Sequence, residues 1–296
     1  MIKLKKLKLV NFCGFRDFEI DLSDGDGIKK WAMLYGPNGC SKSSFLDAVE
    51  LLSRPWRLKS REDSTIFFRR LTFHPDYLLN YLGFDKNRTK LHMKATFVED
   101  EEEKEVVFEN NWDPATSGVT KDDFNRDNFS ACFKVDSDNP INIQKFQLVS
   151  KYKEQFLDFA KIVYGFDCEL PERGEFGVVE EYDKQREEYI NYYTDFILYK
   201  YGTKVHYKSM SSGEKKIATM LTELFNNVYD REMYKNKILL IDNIVMHVYY
   251  LRHMKILEKL DEFFPNNQII ATTHSPIIIE KMDKKYLVNM EKYIGD

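Results

Sequence analysis

The first thirty residues alternate hydrophobic and polar positions in the pattern of β-strands. Leu7 and Leu9 alternate with lysines, as in a strand with one buried face. A second strand is predicted over 17–22, and the turn-forming residues at 23–28 end it. The chain therefore opens with two strands and a tight turn.

A short apolar run and an amphipathic segment follow. The run over 31–35 predicts a buried strand. Phe45 and Val49 fall on one face of a helix predicted over 42–52, which must end before Pro55 because a residue before proline avoids helical backbone angles. The strand and helix are joined by a short loop rich in small residues.

The last third of the chain alternates helical and strand patterns. Strands that alternate with helices indicate an α/β sheet. The predicted elements are a helix over 212–229, a strand over 238–241, a helix over 250–264, a strand over 268–272, a short helix over 277–283 and a final strand over 286–290.

Periodicity is weaker in the middle of the chain. Residues 91–97 and 104–109 predict two strands of a hairpin joined by an acidic loop. That loop is most simply solvated, and cation binding or partner docking is the alternative. Helices are predicted over 147–164 and 180–199, and a Pro/Gly/Ser-containing loop over 112–118.

These patterns predict one core built from both ends of the chain. Residues 1–58 and 205–296 form the core, and residues 59–204 form an inserted α+β lid. The predicted fold class is therefore α/β, with a mixed central sheet, flanking helices and an antiparallel strand subdomain.

Composition and charge exclude several classes of protein. The 296 residues carry 44 basic and 48 acidic side chains, a net charge of -4, which does not favour a chain that binds nucleic acid by bulk charge. The four cysteines form no C-x-x-C pair that would indicate a zinc ribbon. No apolar run approaches the roughly 18 residues that a membrane span needs, and the N-terminus lacks the apolar core of a signal peptide. We therefore expect a cytoplasmic protein without a membrane partner.

The loop after the predicted 31–35 strand has the pattern of a phosphate-binding loop, G-x-x-x-x-G-K-[ST], with Ser41 at the final glycine position. In such a loop, backbone N–H groups at a helix N-terminus bind phosphate, Lys42 reaches the β and γ phosphates, and Ser43 ligates Mg²⁺. Ser41 can replace glycine if its φ is negative, and its side chain would lie near the phosphates. An ordinary glycine-rich turn is the alternative. The candidate nucleotide-binding residues are Gly36, Pro37, Asn38, Gly39, Cys40, Ser41, Lys42, Ser43 and Ser44.

Asp242 ends the apolar run Leu-Leu-Ile, where a carboxylate can hold a water on Mg²⁺ or act as a metal ligand together with Ser43. Many ATPases place a glutamate next, as general base. Here that position is Asn243, which cannot accept a proton at neutral pH. Strands often end in aspartate, so this motif is weak by itself.

The sequence Met-Ser-Ser-Gly-Glu at 210–214 predicts a capping box, with Ser211 as N-cap and Glu214 three residues into the helix. A capped N-terminus of this kind also favours anions. The candidate residues are Ser211, Ser212, Gly213 and Glu214.

Thr-Thr-His-Ser-Pro closes the strand predicted over 268–272. A single histidine is more often a structural hydrogen-bonding residue than a catalyst. At the carboxyl end of a strand in an α/β sheet, however, His274 lies where ligands bind.

Together and in this order, the four motifs resemble the ABC-type ATPase heads of the SMC, RecF and OLD families. The opening Asn-Phe-Cys-Gly-Phe at 11–15 is also similar to the first turn of those heads. The resemblance covers residues 1–55 and 205–296, and it is specific only as a set. Neither the long coiled coil of SMC proteins nor a nuclease region after the last strand is expected.

The resemblance implies a head-to-tail homodimer that encloses two ATP molecules with Mg²⁺. Residues 211–214 would act in trans on the γ-phosphate bound by the other subunit's loop, and His274 would sense that phosphate. Residues 246–248 resemble an x-H-L stretch of OLD-like heads. A glutamine that contacts Mg²⁺ is also implied, with Gln144 and Gln147 as open alternatives.

Three departures from the family pattern put fast hydrolysis in doubt: Ser41, Asn243 and Val245, the last at a position that is often acidic. The leading hypothesis is a slow, ATP-dependent switch in DNA repair, another DNA transaction or phage defence, which controls an effector encoded by a neighbouring gene. The alternatives are the nucleotide-binding subunit of an ABC transporter and a pseudo-ATPase that uses ATP as structural glue. DNA is a further candidate partner through Lys3, Lys5, Lys6, Lys8 and Arg16, although strand lysines also simply block edge pairing.

Overall fold

The computed structural model describes residues 1–53, 90–111, 132–135, 146–172, 177–183, 188–229 and 236–293. Its strands, in chain order, are β1 (Ile2–Phe12), β2 (Phe15–Asp21), β3 (Ser23–Asp24), β4 (Gly27–Ile28), β5 (Trp31–Tyr35), β6 (Lys90–Glu99), β7 (Glu102–Asn111), β8 (Cys132–Val135), β9 (Leu148–Val149), β10 (Asp167–Glu169), β11 (Val178–Asp183), β12 (Glu188–Tyr193), β13 (Ile197–Lys200), β14 (Thr203–His206), β15 (Ile238–Ile241), β16 (Gln268–Thr273) and β17 (Leu287–Asn289).

Helices cover both faces of the five-stranded central sheet, which β17, β5, β16, β15 and β8 build. The α-helices are α1 (Lys42–Ser53), α2 (Lys153–Tyr164), α3 (Ser212–Glu223), α4 (His253–Phe263) and α5 (Pro276–Lys281). Helix α3 continues as a π-helix, Leu224–Tyr229, and short 3₁₀ turns occupy Ser150–Tyr152, Tyr207–Ser209, Tyr250–Arg252, Lys284–Tyr286 and Met290–Tyr293.

The central sheet has five strands in the order β17-β5-β16-β15-β8, and every pairing in it is parallel. Its side chains alternate between two cores, as the two-residue period of a strand requires. Ala32 and Leu34 face α1 and the N-terminal sheet, whereas Met33 packs with α2, α3 and α4. Because all the strands are parallel, the loops after β5, β15 and β16 share one edge of the sheet, where α/β proteins bind ligands.

An antiparallel sheet in the order β2-β1-β6-β7 packs on the α1 side. Strand β1 is paired on both sides, so its lysines do not protect an edge, and that interpretation was wrong. Three of them are matched instead by carboxylates on other strands of this sheet: Lys5 with Glu103, Lys6 with Asp21 and Lys8 with Glu19.

Most predicted elements are confirmed, with boundaries that move by a few residues. The predicted 42–52 helix is α1, and the 91–97 and 104–109 strands belong to the β6–β7 hairpin. The acidic loop is shorter than predicted, because only Asp100 and Glu101 lie between the strands, both with positive φ.

The prediction of a helix over 180–199 was wrong. This region holds β11, β12 and the start of β13, and β11 pairs antiparallel with β12. Its many glutamates suggested a helix, but its valines, tyrosines and isoleucines fit a pleated sheet better, and pairing with β9 and β14 fixes that outcome. Helix α2 begins at Lys153, because 148–152 form a short strand and a 3₁₀ turn.

Antiparallel sheets in the orders β11-β12-β9 and β10-β13-β14 lie in the stretch predicted as the lid, and β8 from the same stretch pairs with β15 in the central sheet. The division into core and lid remains a prediction. The α/β fold class with antiparallel strand sheets is confirmed. Among the described residues, no helix combines the length and apolar character needed to cross a membrane. The 112–118 loop, Pro55 and Gln144 lie outside the described residues.

Candidate functional site

The candidate phosphate loop connects β5 to α1, and three of its residues have positive φ: Gly36 (146°), Gly39 (82°) and Ser41 (57°). The expectation of a negative φ at Ser41 was wrong, since this serine adopts the left-handed conformation that favours glycine. Its Oγ lies 2.2 Å from the position that a Cβ on Gly14 would occupy. A side chain at residue 14 would therefore displace the Ser41 hydroxyl from its place against the β1–β2 turn.

Lys42 is buried, and its ammonium lies inside the loop. The Nζ donates hydrogen bonds to the carbonyl oxygens of Gly36, at 2.9 Å, and Pro37, at 2.8 Å, and contacts Cys40 Sγ at 3.4 Å. Neutral carbonyl acceptors hold an ammonium less strongly than a charged phosphate does. The loop thus holds the Lys42 ammonium at a helix N-terminus, where backbone amides also favour an anion.

Ser43 and Ser44 form the first turn of α1 and differ in surroundings. Ser43 is exposed, whereas Ser44 is half-buried and hydrogen-bonds Cys13. Burial raises the pKa of the Cys13 thiol to about 11, and the bond to Ser44 opposes this only in part. Cys13 is therefore a protonated packing residue at neutral pH, and Ser43 is the hydroxyl available to a metal ion.

Asp242 follows β15 directly and is held by the neighbouring strand β16. Thr272 Oγ1 donates a hydrogen bond to Asp242 Oδ1 at 2.5 Å and accepts one from the backbone N–H of Asn243 at 2.7 Å. The Ile244 amide donates to the Thr272 carbonyl oxygen at 3.1 Å. Asn243 has a φ of 52°, a left-handed conformation that asparagine tolerates better than most residues.

His274 follows β16 and shares an electrostatic environment with two other motifs. The pKa of His274 is lowered, chiefly by partial burial and then by the positive charge of Lys42, while the charge of Asp242 opposes the shift. Residues from three predicted motifs thus act on one another at one edge of the sheet. His274 is an exposed residue, yet its imidazole is neutral over a wider pH range than that of a histidine with the ordinary pKa.

The capping box at the start of α3 is confirmed. The Ser211 hydroxyl accepts from the Glu214 amide at 3.4 Å, and the Glu214 carboxylate accepts from the Ser211 amide at 3.0 Å. Burial works against ionisation of Glu214, but bonds from Lys200 on β13 and from Ser211 outweigh it and lower the pKa. Ser211 and Ser212 are exposed at this helix end.

Gly213 ties the start of α3 to the segment after Asp242. A Cβ at Gly213 would lie 3.1–3.2 Å from atoms of His247, closer than ordinary van der Waals contact. His247 itself has a φ of 68°. The 210–214 and 246–248 motifs therefore meet within one chain.

Two structural residues of the site were missed by sequence reasoning. Buried His253 contacts Ser275 Oγ through Nδ1, at 2.7 Å, and the Val248 carbonyl oxygen through Nε2, at 3.0 Å, so it joins the segments that follow Asp242 and His274. Lys134, buried on β8, contacts Asp47 of α1. A lysine inside the apolar run at 132–135 was the available signal.

Gln147 and Gln144 remain unseparated as candidate Mg²⁺ contacts. The backbone carbonyl of Gln147 accepts a hydrogen bond from Asn226 Nδ2 at 2.7 Å, and Gln144 is not described.

The residues at the sheet edge fit ATP and Mg²⁺ chemically, because an ammonium inside a loop of amides suits phosphate, and a hydroxyl and a carboxylate are the oxygen donors that Mg²⁺ prefers.

Residues 122–280 match the family model described as "AAA domain, putative AbiEii toxin, Type IV TA system". The chain belongs to this AAA-domain family. The match includes the 210–214, 239–242 and 272–276 motifs of the predicted site.

Relatives with similar sequences are longer proteins. Septu protein PtuA of Bacillus mycoides (strain KBAB4) is 24% identical over 297 residues, which cover 93% of this chain and 38% of that protein. The Retron Vc95 probable ATPase of Vibrio cholerae serotype O1 biovar El Tor is 29% identical over 91 residues, 29% of this chain and 18% of that protein. The AAA chain thus matches less than two fifths of the length of either relative.

Solved structures with the same fold include SMC heads. An SMC head bound to the C-winged-helix domain of ScpA gives a TM-score of 0.56 at 15% identity, covering 94% of this chain and 91% of that one. The Pyrococcus furiosus SMC head, bound to the C-terminal domain of ScpA, gives 0.53 at 12% identity, covering 95% and 92%. These likenesses confirm the expected ATPase-head fold of the SMC type.

Proposed function

We propose that this AAA chain is an ATP-dependent switch that dimerises head to tail around two Mg²⁺–ATP, hydrolyses ATP slowly and controls a partner effector. The observation that carries the proposal is the convergence of Lys42, Asp242 and His274 at one edge of the parallel sheet. Each residue comes from a different motif, and together they offer a cation, a metal-binding carboxylate and a neutral hydrogen-bonding ring.

Each part of the site has a separate task in this proposal. Lys42 exchanges the carbonyl oxygens of Gly36 and Pro37 for the β and γ phosphates. Ser43 and Asp242 hold Mg²⁺, which neutralises phosphate charge when it is bound. His274 donates a hydrogen bond to the γ-phosphate, and Asn243 orients the attacking water without accepting its proton.

Self-association is supported by the surface around α3. Ser211 and Ser212 present the helix N-terminus to solvent, where it can meet the γ-phosphate held by a second copy. Beside the contact between Gly213 and His247, the chain continues into an exposed apolar patch, which we name the 246–251 patch. Its exposed side chains are Met246, Tyr249, Tyr250 and Leu251. Contiguous exposed apolar groups favour an interface.

The test is the mass of the protein in solution, measured by light scattering with and without Mg²⁺–ATP. We expect an ATP-dependent doubling of mass. Lys42→Ala should abolish nucleotide binding and doubling, whereas Lys281→Ala, which removes an exposed lysine from α5, should change neither.

The second arm of the test separates binding from assembly. Ser212→Arg should retain ATP binding and lose the dimer, while Ser209→Arg, at an exposed position before the helix, serves as the matched control. Equal masses with and without ATP, together with wild-type behaviour of Ser212→Arg, would rule out the sandwich.

We place the switch in a DNA-related or phage-defence system, with an effector from a neighbouring gene. The similarity to a retron ATPase and to a Septu protein supports this setting over that of a transporter subunit. Affinity purification from the native host with ATP present discriminates the settings, because it recovers an effector, DNA or a membrane protein.

Direct DNA binding has less support than a protein partner. The lysines of β1 that suggested a basic strip, Lys5, Lys6 and Lys8, are paired with carboxylates. Binding that arises from a dimer surface should fall steeply with salt. Undetectable duplex binding at about 50 mM salt with ATP would leave a protein as the partner.

The pseudo-ATPase remains the second candidate, and one observation favours it. Asn243, whose carboxamide cannot take a proton, stands at the position of the general base, while its backbone N–H donates to Thr272. ATP that stays intact in a stable dimer over many hours would identify the protein as this form of the switch.

A further inference from the structure

Lys134 lies almost entirely inside the protein. It is the third residue of β8 and pairs with Leu240 of β15, between the buried neighbours Cys132 and Val135. Its side chain is only 8% exposed. Lysine is almost never buried to this degree unless its charge is paired.

The partners of Lys134 are carboxylates on the phosphate-loop helix. The Nζ donates a hydrogen bond to Asp47 and lies 4.0 Å from Glu50. Asp47 and Glu50 are one turn apart on α1, and Ser43 precedes Asp47 by one turn, so all three share a helix face. Lys134 therefore contacts the same face of α1 that carries the candidate metal ligand.

Lys134 also lies on the strand beside β15, which ends just before the second candidate metal ligand. Burial opposes its ionisation, but the charges of Asp47, Glu50 and Asp242 outweigh burial and raise the pKa of Lys134, so the ammonium is charged at neutral pH. Leu240 faces the α1 side of the sheet, and Asp242, two residues later, continues on that side. One buried cation thus joins α1 to the strand that is paired with β15.

We propose that Lys134 is a positioning residue of the metal site, which ties the carboxylate face of α1 to β8, the strand paired with β15, and so helps to set the separation of Ser43 and Asp242. The inference rests on the proposed Mg²⁺–ATP site. The two ligands belong to different elements, and Lys134 adds an ion pair from the strand beside β15 to the apolar packing that joins those elements.

Removing the ammonium should misplace the ligands. Asp47 and Glu50 would then lose the cation that they share, and like charges repel strongly where water is scarce. Mutation of residues that orient metal ligands without contacting the metal typically lowers metal affinity by about 10–100-fold. The effect should appear in the Mg²⁺ requirement rather than in nucleotide contacts made by the loop.

The experiment measures the Mg²⁺ concentration that gives half-maximal binding of a fluorescent ATP analogue, together with thermal unfolding without nucleotide. Lys134→Met should raise the Mg²⁺ midpoint about tenfold or more. Lys134→Arg, which keeps the charge, should largely restore it. Binding measured without Mg²⁺ should be unchanged in both variants.

A double variant separates positioning from stability. Lys134→Met with Asp47→Leu replaces the buried ion pair by apolar groups, an exchange that is often neutral for folding. We expect its unfolding temperature to recover while its Mg²⁺ midpoint stays raised. A wild-type midpoint in Lys134→Met, or in the double variant, would overturn the inference. Failure of the wild-type chain to bind Mg²⁺–ATP at all would instead overturn the proposed function with it.

Discussion

Thr272 donates its hydroxyl proton to the Asp242 carboxylate across the β15–β16 pair, at 2.5 Å. The same oxygen accepts a hydrogen bond from the backbone N–H of Asn243 at 2.7 Å. Thr272 is fully buried, and its backbone carbonyl also accepts from Ile244. One threonine therefore holds the side chain of the candidate metal ligand and the backbone of the residue in the general-base position.

Thr272→Val keeps the shape of this side chain and removes both hydrogen bonds. We expect a loss of about 1–3 kcal/mol in the free energy of unfolding, because the half-buried Asn243 backbone N–H and Asp242 carboxylate each lose a partner. Mg²⁺–ATP binding should weaken as well, since Asp242 can rotate away. Denaturant unfolding and nucleotide titration measure the two effects.

Thr272→Ser is the matched control, because it keeps the hydroxyl and removes only a methyl group. It should retain most of the Mg²⁺–ATP affinity despite a small cavity. Equal nucleotide binding by the valine and serine variants would show that the hydroxyl does not position Asp242.

Gly213→Ala tests the contact between the start of α3 and His247. The new methyl group would lie 3.1 Å from the His247 ring, so the ring or the helix N-terminus must shift by a few tenths of an ångström. The shift should weaken ATP-dependent dimers several-fold while nucleotide binding by the monomer is unchanged. Light scattering and nucleotide titration separate these two results.

A second substitution that removes the His247 side chain tests whether the Gly213→Ala defect can be rescued. His247→Ala in the same chain should recover the dimer if the clash is the cause, a coupling that a double-mutant cycle quantifies. Additive losses in the double variant would mean that His247 contributes to assembly in its own right.

The sequence predicted the elements in which local and global signals agree. Helix α1 and the capping box at Ser211 were found because apolar spacing and cap residues are local. The strands at 178–200 were missed because glutamate-rich composition favours a helix locally, and only pairing with distant strands decides otherwise.

The chemistry of the site was predicted in part for the same reason. Motif residues such as Lys42 and His274 carry their own signal. The bond from Thr272 to Asp242 and the pair of Lys134 with Asp47 depend on which strands become neighbours. Ser41 was misjudged because residues with a side chain rarely adopt a positive φ, and its neighbour Gly14, which leaves space for the hydroxyl, is distant in sequence.

The lowered pKa of His274 predicts a pH dependence with a definite sign. In the nucleotide-free protein the folded-state pKa lies below the ordinary 6.5, so the unfolded chain takes up this proton first and stability falls as the pH drops below 6.5. A γ-phosphate nearby favours the imidazolium and raises the pKa again. Nucleotide binding is therefore coupled to proton uptake.

We expect ATP affinity to increase between pH 8 and pH 6, by up to about tenfold for a rise of one unit in the pKa of His274. His274→Gln retains a hydrogen-bond donor but cannot titrate, so it corrects for the titration of ATP itself. Parallel affinity–pH curves for wild type and His274→Gln would contradict a contact between His274 and the γ-phosphate.

The final prediction concerns the rate of hydrolysis. A positioned general base contributes about 10²–10⁴-fold, and Asn243 can orient a water but cannot take its proton. Wild-type turnover should be slow, and Asn243→Glu should raise single-turnover hydrolysis at least tenfold at saturating Mg²⁺–ATP. Asparagine tolerates the φ of 52° here, whereas glutamate bears about 1–2 kcal/mol of strain, so the gain should fall short of the full range.

Asn243→Asp is the matched control, since aspartate tolerates this backbone conformation but its carboxylate is one methylene shorter. It should hydrolyse ATP faster than wild type but more slowly than Asn243→Glu if reach to the water decides the rate. His274→Ala should lower whatever activity remains. A wild-type rate above about 1 s⁻¹, in the ordinary enzyme range, with no gain from either carboxylate, would show that another group supplies the base. The slow switch would then have to be reinterpreted as an ordinary ATPase.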